Sequence, residues 1–523
     1  MPTPEARWVP EPFRMGTAEQ FERLREALEA LGYTEPEVCK RFGISTIHEA
    51  TRRLKPDREA TDPQALLIRL FLETAEVPWR TVRSLLSPGD LAAIQDLGLL
   101  MPATPTGDGC RATLALYPTE GLYIASDHGE AGPVSDWRAP ADIVFPAIGD
   151  ATQRFMALMP RAPCGDMLDL CSGTGIAALV GARRFADRAW AVDITERSSR
   201  FARFNAALNG IKMVTVLQGD LYDPVAGQTF DRIVANPPYM PALKDEYIFR
   251  DGGEDGERVT WRILGGLAAH LRPGGHFFCD CVATDREGAP LEQRIRGAIG
   301  EHEEEFDILV AEATVLDPTL YYARRAQNGE ETFTDVGRRH ELFKRLGIRQ
   351  LVSAPVLIHR RASGDARPSA TLRRQLSPHT RARDLQWALD WHVTAARWEG
   401  SGASHLLRSR LRANPRAEIR TIHRQRDGHW VMDHCFLVTQ APFVADASCP
   451  PGYATLFMAC DGRITGRELL QQLKEQGLVP DDAPEAEFAE VLKRLAEHGL
   501  LEIVSAAAGG DPGAAGPMES VGE

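Results

Sequence analysis

The chain has 523 residues, of which 43% are hydrophobic and 25% charged. Those values exclude wholesale disorder, and the length predicts about three domains. The net charge of −13 argues against a general binder of polyanions. No apolar run approaches the roughly 20 residues of a bilayer span, and the first residues, Met1–Arg14, lack an apolar signal segment. The expected location is therefore cytoplasmic, with no membrane contact. The nine cysteines show no CxxC spacing, which predicts reduced thiols and no metal site.

Residues 1–155 read as helices followed by strands. Phe21, Leu24, Leu28 and Leu31 recur at helical spacing, and Pro63 opens a second helix bearing Leu66, Leu67, Leu70 and Phe71. Another helix is expected around Asp90–Leu97. Arg111–Tyr117 and Gly121–Ser126 then read as two strands joined by a short turn. Three helices and a hairpin predict a winged-helix-like α+β domain for substrate recognition, a type of module that binds DNA or protein or simply dimerises.

Residues 156–361 alternate strand and helix. The expected strands are Met167–Cys171, Trp190–Val192, Val214–Leu217, Arg232–Ala235, His276–Cys281 and Ile308–Ala311, with a last one at Leu351–Ile358. Such alternation predicts an α/β domain, a parallel sheet covered by helices.

Residues 362–434 read as an Arg-rich linker and helical region, with a linker or exposed loop over 362–381 and a helix over Asp384–Trp398. The stretch 359–430 holds 15 Arg, no Lys and 6 acidic residues, leaving −22 for the remainder. Arginines interleaved with Trp387, Trp391 and Trp398 can bind phosphates and stack on bases. The plainer alternative puts the tryptophans on one helix face as core and pairs the arginines with the acidic remainder. Residues 435–504 read as a small winged-helix-like module. There Thr465-Gly-Arg-Glu468 forms a capping box ahead of Leu469, Leu470 and Leu473. The tail 505–523, rich in Ala, Gly and Pro, is expected to be disordered.

The chemistry concentrates in 156–361. Met167-Leu-Asp-Leu-Cys-Ser-Gly-Thr-Gly-Ile176 is a strand, a glycine turn and a helix start, where a ligand can approach the backbone closely. Asp193 ends the second strand, 24 residues after Asp169, where a carboxylate can take both hydroxyls of a ribose or simply cap the next helix. Asp220 ends the third strand, and either accepts from an adenine amine or serves as a turn residue. The fourth strand runs into Asn236-Pro237-Pro238-Tyr239. Two prolines remove two donors and stiffen the loop. Asn236 Oδ1 and the Pro237 carbonyl can then accept the two hydrogens of an –NH2 group, with Tyr239 stacking on a planar acceptor.

This segment resembles class I S-adenosylmethionine-dependent methyltransferases of the Asn-Pro-Pro-Tyr type, and among them the release-factor glutamine methyltransferase family. Arg250-Asp-Gly-Gly-Glu-Asp-Gly256 after the loop and Leu271-Arg-Pro-Gly-Gly275 before the fifth strand are shared features. The resemblance implies a seven-stranded Rossmann-like core whose last strand is antiparallel, with S-adenosyl-L-methionine as cofactor. It implies a cofactor-binding set of Asp169, Cys171, Gly173, Gly175, Asp193, Ile194, Asp220, Leu221 and Asn236, with Asp169, Gly173 and Gly175 on the methionine portion. Asn236, Pro237, Pro238 and Tyr239 would hold the acceptor amine as catalytic residues. It covers about 200 residues, and the motif names the acceptor group and not the molecule. The expected activity is therefore N-methylation of a macromolecular substrate. A nucleobase in RNA or DNA is expected first, because of the arginines and the winged-helix-like ends. The alternative is a glutamine-type amide in a protein or peptide, because of the Asp-Gly-Gly stretch. A third reading, a cofactor-sensing protein with lapsed catalysis, sits poorly with an intact Asn-Pro-Pro-Tyr.

Overall fold

A computed structural model describes residues 13–50, 59–103, 107–128, 139–397 and 402–504; the expected tail, 505–523, and Trp398 lie outside them. The chain divides into two compact units. The first comprises Met1–Gly288, Gly297–Gly300 and Asp317–Leu351, and the second Ala289–Arg296, Glu301–Leu316 and Val352–Glu523. The expected break near residue 155 falls inside the first unit.

Five parallel strands form the centre of the first unit: β1 (Cys164–Leu170), β2 (Ala186–Asp193), β3 (Val214–Gln218), β4 (Phe230–Ala235) and β5 (Leu271–Arg286). Their order is β5-β4-β1-β2-β3. In β1, Met167, Leu168 and Leu170 are buried, as the continuous apolar run of a strand covered on both faces requires. Helices α1 (Ile176–Arg184), α2 (Glu196–Leu208) and α3 (Arg258–Gly265) belong to the connections. Strand order reverses between β1 and β4, the switch point where ligands bind in open α/β sheets.

The N-terminal elements pack on α2. The helix Ala18–Ala30 starts with a capping box, Thr17 with Gln20, and turns Phe21, Leu24 and Leu28 inward. Phe13 and Phe21 meet Phe204 at centroid distances of 4.4 and 5.2 Å. The Arg25 guanidinium donates to the Leu208 carbonyl at 2.7 Å, satisfying an otherwise orphaned helix-end oxygen.

The hairpin Ala115–Thr119/Leu122–Ser126 shifts the first expected strand toward its C-terminal end, with Gly109–Ala112 as a separate strand. Its turn residues Glu120 and Gly121 both have positive φ, 54° and 71°, as a tight hairpin turn requires. All ten strand positions are buried, whereas the wing of a winged helix reaches into solvent. Polar residues one helical turn apart explain the burial. Asn205 accepts from Ala125 N–H at 2.8 Å and donates to the Ala125 carbonyl at 3.0 Å. Asn209 accepts from Tyr123 N–H at 2.8 Å and donates to its carbonyl at 2.7 Å. The α2 side chains thus occupy the edge that an unpaired strand would expose.

In the second unit, Val356–Arg360 runs antiparallel to Phe306–Val310, the antiparallel partner the resemblance implies. A further strand, Thr371–Gln375, lies parallel to Ile308–Glu312 on its other side. The expected loop over 362–381 is therefore partly sheet. The reason is a buried anchor: Asp307 accepts from Arg367, His359 and the Ala370 amide. Burial alone would raise that carboxyl, but these donors hold it well below the usual carboxylate range.

The small module carries the expected capping box at Thr465 and Glu468, then helices Gly466–Glu475 and Glu485–Glu497 and the strand Leu501–Val504. Leu469, Leu470, Leu473, Leu492 and Leu495 form its core. Most of the arginines that suggested a phosphate surface are engaged. Arg373 pairs with Glu292 and Glu312, Arg374 with Glu497, Arg412 with Glu502, and Arg424 and Arg426 with Asp433. Trp387 and Trp391 stack at 6.4 Å on one helix. The plainer of the two expectations for this block fits these contacts.

Candidate active site at the carboxyl ends of the strands

The glycine turn leaves β1 through Cys171, which takes a positive φ of 56°, an uncommon conformation for a side-chain-bearing residue. At Gly173 (φ 53°), an added Cβ would find no atom within 4 Å, so the backbone there faces open space. Gly175 instead fits against α2, its Cβ position lying 3.0 Å from Ala202 Cβ. The turn is held from behind by Asn205, whose amide also donates to the Thr174 carbonyl at 2.9 Å.

Asp169, expected beside the methionine portion of a cofactor, sits under this turn. It is buried and accepts from Ala178 N–H at 3.1 Å, satisfying an unpaired donor in the first turn of α1. Burial pushes its carboxyl up to about 8; Ala178 N–H opposes the shift and nearby Asp193 adds to it.

Asp193 organises the next edge. One oxygen accepts from Gly173 N–H at 2.9 Å, the other from Thr195 N–H at 3.0 Å and Thr195 Oγ1 at 3.1 Å. The helix cap itself is Thr195, whose side chain accepts from Ser198 N–H at 3.0 Å; Asp193 braces that cap residue and the glycine turn. A carboxylate has about four acceptor positions, so with three filled about one remains, on the oxygen facing Gly173, for a ligand hydroxyl. Beside it Ile194 is 52% exposed, an apolar surface on which a planar ring can lie.

Asp220 lies one turn beyond β3, next to Leu221, whose φ is 50° and whose side chain is buried. Arg262 of α3 grips both Asp220 oxygens, at 3.1 and 2.8 Å.

Asn236 follows β4. Its side chain is half-exposed and makes no hydrogen bond among the described residues. A polar amide without an internal partner, at the end of a buried strand, is available to a ligand. The Asp-Gly-Gly stretch explains how the loop keeps its shape. A Cβ on Gly252 would lie 2.3 Å from the Gly256 carbonyl oxygen and 2.7 Å from that of Pro238. At Gly256 the contact is the Tyr239 carbonyl oxygen, also at 2.3 Å. Backbone packs directly on backbone here, so the two motifs are one structural unit. Asp251 ties the intervening turn by accepting from Glu246 N–H at 2.7 Å and Tyr247 N–H at 2.9 Å.

Sequence reasoning missed several supporting residues. Asp280 follows Cys279, whose register partner is Ala235, so it stands beside Asn236 on the neighbouring strand. It is fully buried and bound by Arg154 through two hydrogen bonds of 2.8 Å. Burial, with the Asp280 charge next, raises the Tyr239 phenol well above its ordinary value. Arg339, from the helix Phe333–Arg345, donates to the Pro241 carbonyl at 2.9 Å while paired with Glu331. Arg154 and Asp280 are 126 positions apart in the chain, and Arg339 and Pro241 are 98 apart, beyond the reach of local spacing. Asn205 and Asn209 alone carried a usable signal, a polar pair at i, i+4 on an otherwise core-facing helix.

Residues 146–305 match the family model described as "Methyltransferase small domain". Three curated relatives align over 116 to 133 residues. A provisionally named protein N5-glutamine methyltransferase of Methanocaldococcus jannaschii is 34% identical over 21% of this chain and 58% of its own length. The ribosomal protein uL3 glutamine methyltransferase of Bradyrhizobium diazoefficiens is 36% identical over 23% and 41%. The release factor glutamine methyltransferase of Gloeobacter violaceus is 34% identical over 22% and 46%. The chain thus spans about half the length of the curated relatives it matches. In sequence, the chain resembles class I S-adenosyl-L-methionine-dependent methyltransferases, those of glutamine among them.

Proposed function

We propose that this chain is an S-adenosyl-L-methionine-dependent N-methyltransferase whose acceptor is a glutamine-type side-chain amide in a protein or peptide. The observation that carries the reading is the unpaired Asn236 amide at the strand end, on a loop whose shape Gly252 and Gly256 enforce. The residues present fit the cofactor. The open space over Gly173, the exposed Ile194 face and the spare acceptor capacity of Asp193 and Asp220 suit an adenosine with an attached amino acid. When bound, the cofactor supplies a methyl group already activated on a sulfonium.

The chain's own contribution is placement. Asn236 Oδ1 and the Pro237 carbonyl accept the two amide N–H groups, turning the nitrogen lone pair away from the loop. Amide nitrogen is a weak nucleophile because its lone pair is delocalised. Two acceptors return electron density to it and stabilise positive charge as that charge develops. Fixing the acceptor in such a pose is worth up to roughly 7–11 kcal/mol in ideal cases. The Arg154–Asp280 pair, whose carboxylate is buried next to the Asn236–Tyr239 loop, braces that side of the acceptor site.

The amide acceptor takes precedence over a nucleobase for two reasons. The aligned relatives are named for glutamine methylation, and many of the arginines that favoured RNA or DNA are paired with carboxylates. We also keep the cytoplasmic placement. All nine cysteines are unpaired, which suits a reducing compartment, and no helix among the described residues is long and apolar enough to cross a membrane. The end modules would then recognise protein or peptide.

The test is transfer of a labelled methyl into cell extract, followed by nuclease or protease treatment and peptide mapping. Label on a glutamine side-chain nitrogen supports the proposal. Label released by nuclease contradicts it.

A further inference from the structure

One helix connects the Asp220 turn to the acceptor loop. On the N-terminal side of α3, Gly252 and Gly256 lock against the carbonyl oxygens of Pro238 and Tyr239. Arg258 N–H, at its first residue, donates to the Gly252 carbonyl at 3.0 Å. In its middle, Arg262 grips Asp220. Near its end, the Tyr222 hydroxyl donates to the Ile263 carbonyl at 3.0 Å, and a Cβ on Gly266 would lie 2.3 Å from the Tyr222 ring. The Asp220 turn is itself stiff. Leu221 sits at a positive φ, and a Cβ on Gly219 would lie 2.2 Å from Pro224. A displacement at Asp220 is therefore passed to α3 rather than absorbed locally.

We propose that Arg262 is a positioning residue, which holds Asp220 for the cofactor's adenine and, through α3, makes occupancy of that subsite order the Asn236–Tyr239 loop. The proposal rests on the cofactor assignment above. As a stability device the ion pair makes little sense, since the two side chains are 53% and 37% exposed and water screens such pairs. As a link it is well made. The guanidinium fork fixes both carboxylate oxygens and leaves an acceptor position on each for an exocyclic amine. A ring seated against the pair removes water from it and strengthens the grip.

The test is hydrogen–deuterium exchange on the full chain, with S-adenosylhomocysteine as the probe. Each variant is held at a concentration that calorimetry shows to be saturating. The reporters are the loop amides of Met240, Ala242, Gly252 and Arg258, all hydrogen-bonded within the loop or its flank. In the wild type the probe should slow their exchange by roughly 5- to 150-fold, the usual span of coupling between two sites. Arg262→Gln should still bind the probe but lose most of that slowing, and Arg262→Lys, which keeps the charge without the fork, should recover part of it. A purely local role for Arg262 would change probe affinity and leave the slowing intact. Equal protection in wild type and Arg262→Gln would overturn the coupling alone. No binding of S-adenosylhomocysteine to the wild type would overturn the cofactor assignment and the coupling together.

Discussion

The cofactor edge and the acceptor loop use polar groups in opposite ways. Along the edge, Asp169, Asp193 and Asp220 are each already bonded within the chain, to Ala178, to Gly173 and Thr195, and to Arg262. At the loop, the Asn236 side chain has no hydrogen-bond partner among the described residues, and the surrounding backbone is packed so tightly that two positions exclude a Cβ. A carboxylate with several acceptor positions can serve the fold and a ligand together. A single amide that must meet a reacting nitrogen is better left open and fixed from outside. Loss of an edge residue should therefore weaken binding, whereas loss of a loop residue should slow the chemistry.

The largest effect expected on that contrast is for Asn236→Ala. Turnover should fall by roughly 10²–10³-fold, as when one group that stabilises developing charge is removed. Cofactor affinity, measured by calorimetry, should fall far less. A comparable loss in both would erase the distinction between loop and edge.

Gly252→Ala sharpens it from the packing side. The new methyl meets backbone oxygens that cannot swing away, which should cost about 1–3 kcal/mol of stability and raise the acceptor KM. Thermal melts together with steady-state kinetics read both.

Asp193→Ala removes charge-assisted hydrogen bonds of the kind worth about 1.5–3 kcal/mol. Cofactor affinity should drop by roughly 10- to 100-fold, with a smaller change in the rate at saturation. Titration calorimetry at wild-type affinity would remove Asp193 from the cofactor edge.

The effect that bears least on that comparison is a pH dependence at Asp169. Its folded-state value of about 8 lies above the ordinary 3.8, so between those values the folded chain binds more proton than the unfolded one. Its contribution to stability is present at low pH and is lost as the pH rises toward 8. Asp169→Asn, whose side-chain oxygen can still accept from Ala178 N–H, should flatten denaturant-measured stability against pH across that window. An unchanged slope would show that Asp169 does not titrate there.

Much of this was legible in the sequence. The strands ending at Leu170, Asp193 and Ala235 could be read because parallel-sheet strands are continuous apolar runs with a chemical residue at the carboxyl end. Asn236-Pro-Pro-Tyr239 was legible because two prolines beside an amide suit no ordinary turn. Partners distant in the chain stayed hidden. Nothing near Arg262 points to Asp220, and nothing near Glu120 shows that its hairpin would be sealed by Asn205 and Asn209. The pairing of the arginine block stayed hidden for the same reason. Composition counts charges, but Glu292, Glu312, Glu497 and Glu502 neutralise them from outside or beyond the block.

The most direct measurement is methyl transfer from labelled S-adenosyl-L-methionine into extract by the wild-type chain and by Asn236→Ala, followed by peptide mapping. The expected result is a methyl on a glutamine side-chain nitrogen with the wild type and almost none with the variant. Methyl found in nucleic acid, or on glutamine to the same extent with both chains, would contradict the assignment of Asn236 and its loop as the site that holds an acceptor amide.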